Sequence, residues 1–91
     1  MYRIIYSQEA EDNFAQIYEY IAHDSILQAS KVILHIKNTI EILKIFPLSW
    51  SLIQWDIHMI VDTKYRYKIL YTFSWDTVTI FFVSKYKNTW E

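Results

Sequence analysis

Hydrophobic residues recur at helical spacing near the start of the chain. The apolar stripe is formed by Ala10, Phe14, Ile17 and Ile21. This spacing predicts an amphipathic helix over about residues 8–22. Ser7 stands directly before it as a candidate N-cap. Residues 2–6 are β-branched and aromatic, and they predict a short strand ahead of the helix.

A second helical pattern begins after Ser25, which forms a capping-box signature with Gln28. Its apolar positions are Ala29, Val32, Ile33, Ile36, Ile40, Leu43 and Phe46. Pro47 then stops the helix, because proline lacks the N–H that a helix interior needs. Only a few residues separate the two patterns, which predicts an antiparallel helical hairpin.

The hydrophobic period changes from helical to alternating after Pro47. Alternation over residues 65–73 places Tyr65, Tyr67, Ile69, Tyr71 and Phe73 on one face of a strand. Two further strands are predicted over 58–61 and 77–83, and residues 49–56 are expected to form an irregular connection. The predicted fold is therefore α+β, in the order β-α-α-β-β-β. The helical hairpin packs on a twisted, mainly antiparallel four-stranded sheet, and residues 1–91 form a single domain.

Composition excludes several classes of site. The chain contains no glycine and no cysteine. Phosphate-cradling loops, dinucleotide-binding fingerprints and nucleophile elbows all need glycine. Disulfides and thiolate metal sites need cysteine. Without glycine, the turns must use other residues, and we expect aspartates such as Asp62 and Asp76 to supply left-handed backbone.

Charge is distributed unevenly along the chain. Residues 1–30 carry one basic and five acidic residues, whereas residues 64–91 carry five basic and two acidic ones. Alternation predicts Arg66 and Lys68 on one strand face, followed by a tail of cations and rings at Lys85, Tyr86, Lys87 and Trp90. Such a surface suits an anionic target. A solvated sheet face that ends in a frayed tail explains the same charges without a function.

The sequence gives little support for metal binding or acid–base catalysis. The three histidines, His23, His35 and His58, lack the short paired spacing of metal ligands. The acidic residues that begin the first helix complement its dipole. We therefore predict no metal and no cofactor. No apolar stretch is long enough to span a membrane and the start of the chain lacks a signal-peptide core, so we expect a cytoplasmic protein with no membrane partner.

Several segments together resemble the RelE/ParE superfamily of type II toxins. They are the first strand, SQEAEDNFAQIYEYIA, the second helix ending in IEILKIFP, and the hairpin KYRYKILYTFSWDTVTIFFV. The resemblance covers nearly the whole chain, and IYEYIA looks closest to ParE-like toxins. It implies a bacterial toxin that a cognate small antitoxin neutralises. ParE-like members poison DNA gyrase, whereas RelE-like members cut mRNA on the ribosome.

The chain departs from the superfamily pattern at the positions expected to carry nuclease chemistry. Lysines and Asn88 follow the last strand, where a histidine and arginines often stand in relatives. Arg66, Lys68, Lys85 and Tyr86 are the residues that match a nuclease set. The resemblance therefore favours a gyrase-binding toxin that is not an enzyme. A ribosome-dependent endoribonuclease and a non-toxic member that only binds an antitoxin are the alternatives.

All three hypotheses imply a protein or nucleic-acid partner. Arg66, Lys68, Lys85, Lys87 and Trp90 are the candidate target-binding residues. Trp50 and Trp55 are the candidate antitoxin-binding residues, because exposed tryptophans often anchor interfaces; capping of the core explains them equally well. The sequence leaves open whether the assembly is a homo-oligomer or a toxin–antitoxin hetero-oligomer.

Overall fold

The computed structural model describes residues 2–46, 51–54 and 56–85, which contain two α-helices and five strands. In chain order the elements are β1 (Arg3–Tyr6), α1 (Gln8–Ala22), α2 (Ile26–Glu41), a 3₁₀ helix (Ile42–Lys44), β2 (Ser51–Gln54), β3 (Ile57–Asp62), β4 (Tyr67–Ser74) and β5 (Thr77–Lys85). Neither described helix is both long and apolar enough to cross a membrane. The predicted α+β class and its helical hairpin are confirmed.

Both helices begin at the serines that the sequence indicates. The Ser7 hydroxyl accepts a hydrogen bond from the Ala10 N–H at 3.1 Å, and the Ser25 hydroxyl accepts one from the Gln28 N–H at 3.0 Å. These contacts satisfy backbone donors that the first helical turn leaves unpaired. The second helix ends earlier than predicted, because its last turn tightens into the 3₁₀ helix before residue 46.

The strands form one mixed sheet in the order β1-β5-β4-β3-β2. β1 pairs with β5 in parallel, and the other neighbouring strands are antiparallel. The prediction of a mainly antiparallel sheet is confirmed. The helical hairpin carries the chain from β1 at one edge of the sheet to β2 at the other edge, and the antiparallel strands β3 and β4 then bring it back to β5 beside β1.

The sheet has one strand more than the sequence predicts. Ser51–Gln54 pairs antiparallel with β3, with a register shift between Leu52 and Gln54. The expectation of an irregular connection over 49–56 is therefore wrong for this segment. Its short, irregular pairing depends on a partner strand, which local periodicity does not reveal.

The core lies between the helical hairpin and one face of the sheet. Its most buried members are Ala10, Phe14, Val32, Ile36, Ile40, Leu43, Ile60, Tyr67, Ile69, Tyr71, Val78, Ile80 and Val83. The predicted helical stripes and the alternating face of β4 supply most of these residues, which confirms both periodicities. Phe46 is an exception, since it lies beyond the 3₁₀ helix and 57% of it is exposed.

The turns use left-handed backbone at residues other than the expected aspartates. Within the described part of the chain, Arg66 (φ 64°) and Trp75 (φ 55°) have positive φ. Ser74 pairs with Thr77 across the β4–β5 hairpin, so Trp75 is the first of the two turn residues. Two-residue hairpins favour positive φ at that position because it matches the twist of the strands. Register, not side-chain preference, therefore decides which residue takes the strained conformation.

Replacing Trp75 separates the backbone cost from side-chain contacts. Trp75 is 92% exposed, so few contacts depend on its ring. We expect Trp75→Gly to be more stable than Trp75→Ala by about 1 kcal/mol, because glycine adopts positive φ without the Cβ clash. Chemical denaturation of the two variants measures the difference. Equal stabilities would show that this turn carries no such cost.

Three tyrosines have a raised pKa in the folded chain, and for two of them, Tyr6 and Tyr71, it reaches about 12. Burial raises the pKa of Tyr71 from 10.0 to about 12. Burial, and then the carboxylates of Glu41 and Glu11, raises the pKa of Tyr6 to about 12. Unfolding exposes both hydroxyls, which then ionise at lower pH than in the folded protein. Below the unfolded-state pKa, these groups therefore leave the free energy of unfolding unchanged. That free energy falls as the pH rises from the unfolded-state pKa through the folded-state pKa.

Alkaline unfolding tests this linkage. Between the unfolded pKa of 10.0 and the folded pKa of about 12 for Tyr71, we expect wild-type protein to lose about 2 kcal/mol of unfolding free energy through this residue. Tyr71→Phe should reduce that pH dependence, measured by urea denaturation at several pH values. Tyr20→Phe, at an exposed ring, is the matched control. A Tyr71→Phe profile parallel to that of wild type would contradict the expectation.

Candidate functional site

A buried carboxylate organises the turn between β3 and β4. The Asp62 side chain is fully buried. Its Oδ2 accepts a hydrogen bond from the Tyr65 N–H at 2.8 Å, and its backbone carbonyl accepts one from the Arg66 N–H at 2.9 Å. A longer contact of 3.4 Å joins the Lys64 N–H to Oδ1. These bonds fix residues 63–66, hereafter the β3–β4 turn, and satisfy a group that is costly to bury unpaired.

A histidine from α2 completes the contacts of Asp62. His35 Nε2 lies 2.6 Å from Asp62 Oδ1, and the His35 ring meets the Tyr65 ring edge-on at 5.3 Å between centroids. The imidazole therefore joins the helical hairpin to the β3–β4 turn. Sequence reasoning missed this pair, because residues 27 positions apart give no periodic signal of contact. The one available hint was an acidic residue at the end of an apolar strand.

Lys85 reaches the same turn from the end of β5. Its ammonium donates a hydrogen bond to the Tyr65 carbonyl at 2.7 Å and lies 4.8 Å from the centre of the Tyr67 ring. Since Tyr67 and Lys85 are paired across β4 and β5, both side chains lie on the helix-facing side of the sheet. Lys85 thus joins a backbone carbonyl and an aromatic face, both of which stabilise a cation.

The predicted sharing of one strand face by Arg66 and Lys68 is wrong. Arg66 belongs to the β3–β4 turn and precedes β4, which begins at Tyr67. Lys68 is in β4 and is paired with Val61 and Ser84. Since successive residues of a strand point to opposite faces, Lys68 lies on the face away from Tyr67 and Lys85. The left-handed residue that ends the turn shifts the start of the strand and removes Arg66 from its alternation.

Five predicted site residues lie outside the described residues. They are Trp50, Trp55, Tyr86, Lys87 and Trp90. The roles assigned to them, like those of Arg66, Lys68 and Lys85, stay predictions.

The other histidines and carboxylates of the described segments form no cluster that could hold a metal ion. No three histidine or carboxylate side chains there are arranged to hold a metal ion. His58 stacks on Tyr71, with 5.3 Å between centroids and 20° between planes. Glu9 and Glu11 lie in the first turn of α1, where negative charge complements the helix dipole. These residues therefore have structural explanations.

Two surfaces of the helical hairpin are suited to contacts with a macromolecule. A cleft of about 700 Å³ separates α1 from β5 and includes Ile17, Tyr20 and Tyr67 among its walls. Asn13 Oδ1 accepts a hydrogen bond from the Val83 N–H at 2.9 Å and so ties α1 to β5 there. Along α2 and just beyond it, large apolar side chains are exposed at Ile26, Leu27, Leu34, Ile42, Ile45 and Phe46. Apolar surface of this kind marks protein interfaces when it is contiguous.

A double-mutant cycle measures the coupling between His35 and Asp62. Asp62→Ala should lower the unfolding free energy by about 2–4 kcal/mol, because the Tyr65 N–H loses its buried acceptor. We expect a coupling energy of about 1–3 kcal/mol with His35→Ala. Asp76→Ala in the exposed β4–β5 turn is the matched control, with a loss of about 0.5 kcal/mol. Strictly additive effects of the two alanine substitutions would contradict a direct bond.

Comparisons with known proteins agree with this architecture. The sequence model of the family described as "ParE toxin of type II toxin-antitoxin system, parDE" matches residues 4–90. The fold is similar to a solved structure from P. aeruginosa titled "Chromosomal ParDE TA system", with a TM-score of 0.83. That match has 11% sequence identity and covers 96% of this chain and 98% of the other. No curated protein matches the sequence. Since the family match spans nearly all of the sequence, the chain belongs to the ParE toxin family of type II toxin–antitoxin systems.

Proposed function

We propose that this ParE-family toxin acts by binding and poisoning DNA gyrase and is neutralised by a cognate small antitoxin. The observation that carries the proposal is the family match over residues 4–90. The action is stoichiometric binding, not turnover of a substrate. Arg66, Lys68 and Lys85 are the described cations assigned to target contact, and Lys85 is fixed by the Tyr65 carbonyl and the Tyr67 ring.

The positions of the described cations support binding over RNA cleavage. A nuclease needs its charged groups around one scissile phosphate, within hydrogen-bond reach of the reacting atoms. Lys68 and Lys85 instead lie on opposite faces of the sheet, and Arg66 lies in the turn before β4. Lys68 and Lys85 therefore do not approach one phosphate from the same face of the sheet.

The exposed apolar residues of α2 and the 3₁₀ helix support a protein partner. Ile26 is 66% exposed, Leu27 is 67% exposed and Ile42 is 46% exposed, and none of the three lines a cleft described here. Covering such side chains removes apolar area from water, which is the main source of stability in protein association. The antitoxin is the partner that we assign to this surface.

A supercoiling assay with purified gyrase tests the toxin activity. We expect the chain to inhibit supercoiling or to trap cleaved DNA, and the antitoxin to reverse the effect. Lys85→Gln should need roughly tenfold more protein for the same inhibition, since a lost charged contact costs about 1.5 kcal/mol. Lys44→Gln removes a lysine that pairs with Glu41 at 2.8 Å and is the control.

Three outcomes would count against the proposal. Unaltered supercoiling at stoichiometric excess of a chain that arrests growth would exclude gyrase as the target. Ribosome-dependent mRNA cleavage in the same preparation would then favour the endoribonuclease. Normal growth on expression without an antitoxin would favour a member that only binds its antitoxin.

A further inference from the structure

A second cleft lies where α2 meets the β3–β4 turn. It has a volume of about 330 Å³ and is lined by Lys31, Leu34, His35, Asn38, Lys64 and Tyr65. The first four residues come from α2 and the last two from the turn. We call it the α2–turn cleft. It is separate from the larger cleft between α1 and β5, with which it shares no lining residue.

The walls of this cleft carry positive charge without exposed negative charge. Lys31 and Lys64 contribute ammonium groups, and no lining residue is acidic. Within the segments that the structure describes, neither lysine forms an ion pair. The Lys64 ammonium lies 5.3 Å from the centre of the Tyr65 ring. The two lysines are therefore available to an anion that enters from solvent.

A bond to a buried carboxylate fixes the imidazole that lines the cleft together with these lysines. Asp62 holds His35 by Nε2 at 2.6 Å, and the Tyr65 ring packs against the imidazole edge-on. The His35 side chain is still 37% exposed. The carboxylate that holds it is fully buried and also bonded to the Tyr65 N–H, so it presents no oxygen to solvent. An ordered imidazole loses little side-chain freedom when it binds a ligand.

We propose that the α2–turn cleft binds the phosphodiester backbone of a nucleic acid. Two ammonium groups and the Asn38 amide supply donors for phosphate oxygens. Leu34 and the Tyr65 ring supply apolar surface beside the charges, against which a sugar packs. A backbone contact of this kind positions the protein on nucleic acid without reading its sequence. The inference goes beyond gyrase binding and holds or fails whatever the toxin's target is.

Titration of the isotope-labelled full-length chain by NMR tests the site directly. Short duplex DNA, single-stranded RNA of equal length and inorganic phosphate serve as separate probes. We expect both nucleic acids to shift the His35 ring signals and the Lys64 and Tyr65 amide signals saturably. Inorganic phosphate should bind more weakly, because it offers one phosphate to lysines that contact several along a backbone. Phosphate binding as tight as duplex binding would overturn the assignment to a backbone.

Charge-removing variants provide the second readout. Lys31→Gln with Lys64→Gln should lower the slope of log affinity against log salt by about 2, one counterion for each lost contact. At low salt the affinity should fall at least tenfold, because contacts between lysines and phosphates contribute most to binding when little salt competes with them. Both lysines are exposed, so the thermal midpoint should match that of wild type.

Lys44→Gln is the control, since it removes one lysine ammonium that lies outside the cleft. We expect its affinity and salt slope to equal those of wild type. An unchanged slope in the double variant, shifts confined to other residues, or no binding of either nucleic acid would overturn the proposal. Because the assay contains no gyrase, its failure leaves the gyrase-binding proposal standing, and the reverse also holds.

Discussion

A carboxylate buried at the end of β3 determines the arrangement of the β3–β4 end of the molecule. Asp62 gathers the Tyr65 N–H, the Lys64 N–H and the His35 imidazole around one side chain with no exposure. A buried charge is tolerated only when such donors surround it, so the turn and α2 must hold their positions together. Lys85 then donates to the Tyr65 carbonyl, which joins the end of β5 to the same point. Asp62 thus links α2 to the β3–β4 turn, and that turn is linked to β5 through the Tyr65 carbonyl.

The absence of glycine constrains the same region. A chain that must reverse direction between antiparallel strands needs backbone that most side chains disfavour. Arg66 and Trp75 adopt it in the two hairpins. At Arg66 the backbone bond to the Asp62 carbonyl compensates the left-handed conformation. The turn therefore depends on Asp62 twice, through its side chain and through its carbonyl, which explains how a large basic residue stands where glycine is usual.

The sequence predicts elements whose signals are local and misses those that depend on partners. Helix starts follow from Ser7 and Ser25, and the core face of β4 follows from its alternation, because both signals lie within a few residues. β2 is recognisable only through its pairing with β3, and Arg66 leaves the predicted strand because the turn is held from outside by Asp62. The bond between His35 and Asp62 also depends on a contact between distant parts of the chain, so the sequence does not reveal it. Candidate charges are visible in the sequence, but the faces on which they lie are set by such contacts.

Contacts between elements that are distant in sequence determine which of the described cations lie together and can bind the same ligand. Lysines adjacent in a strand register are neighbours only when their side chains point to the same face. Lys68 and Lys85 point to opposite faces of the sheet. Lys31 and Lys64 are distant in sequence, but they line one cleft. They do so because the bond between His35 and Asp62 brings α2 to the turn. Charge that appears concentrated in the last third of the sequence is therefore distributed over different surfaces of the folded chain. The folded toxin therefore presents its described lysines on separate surfaces, and each surface surrounds its lysines with different side chains.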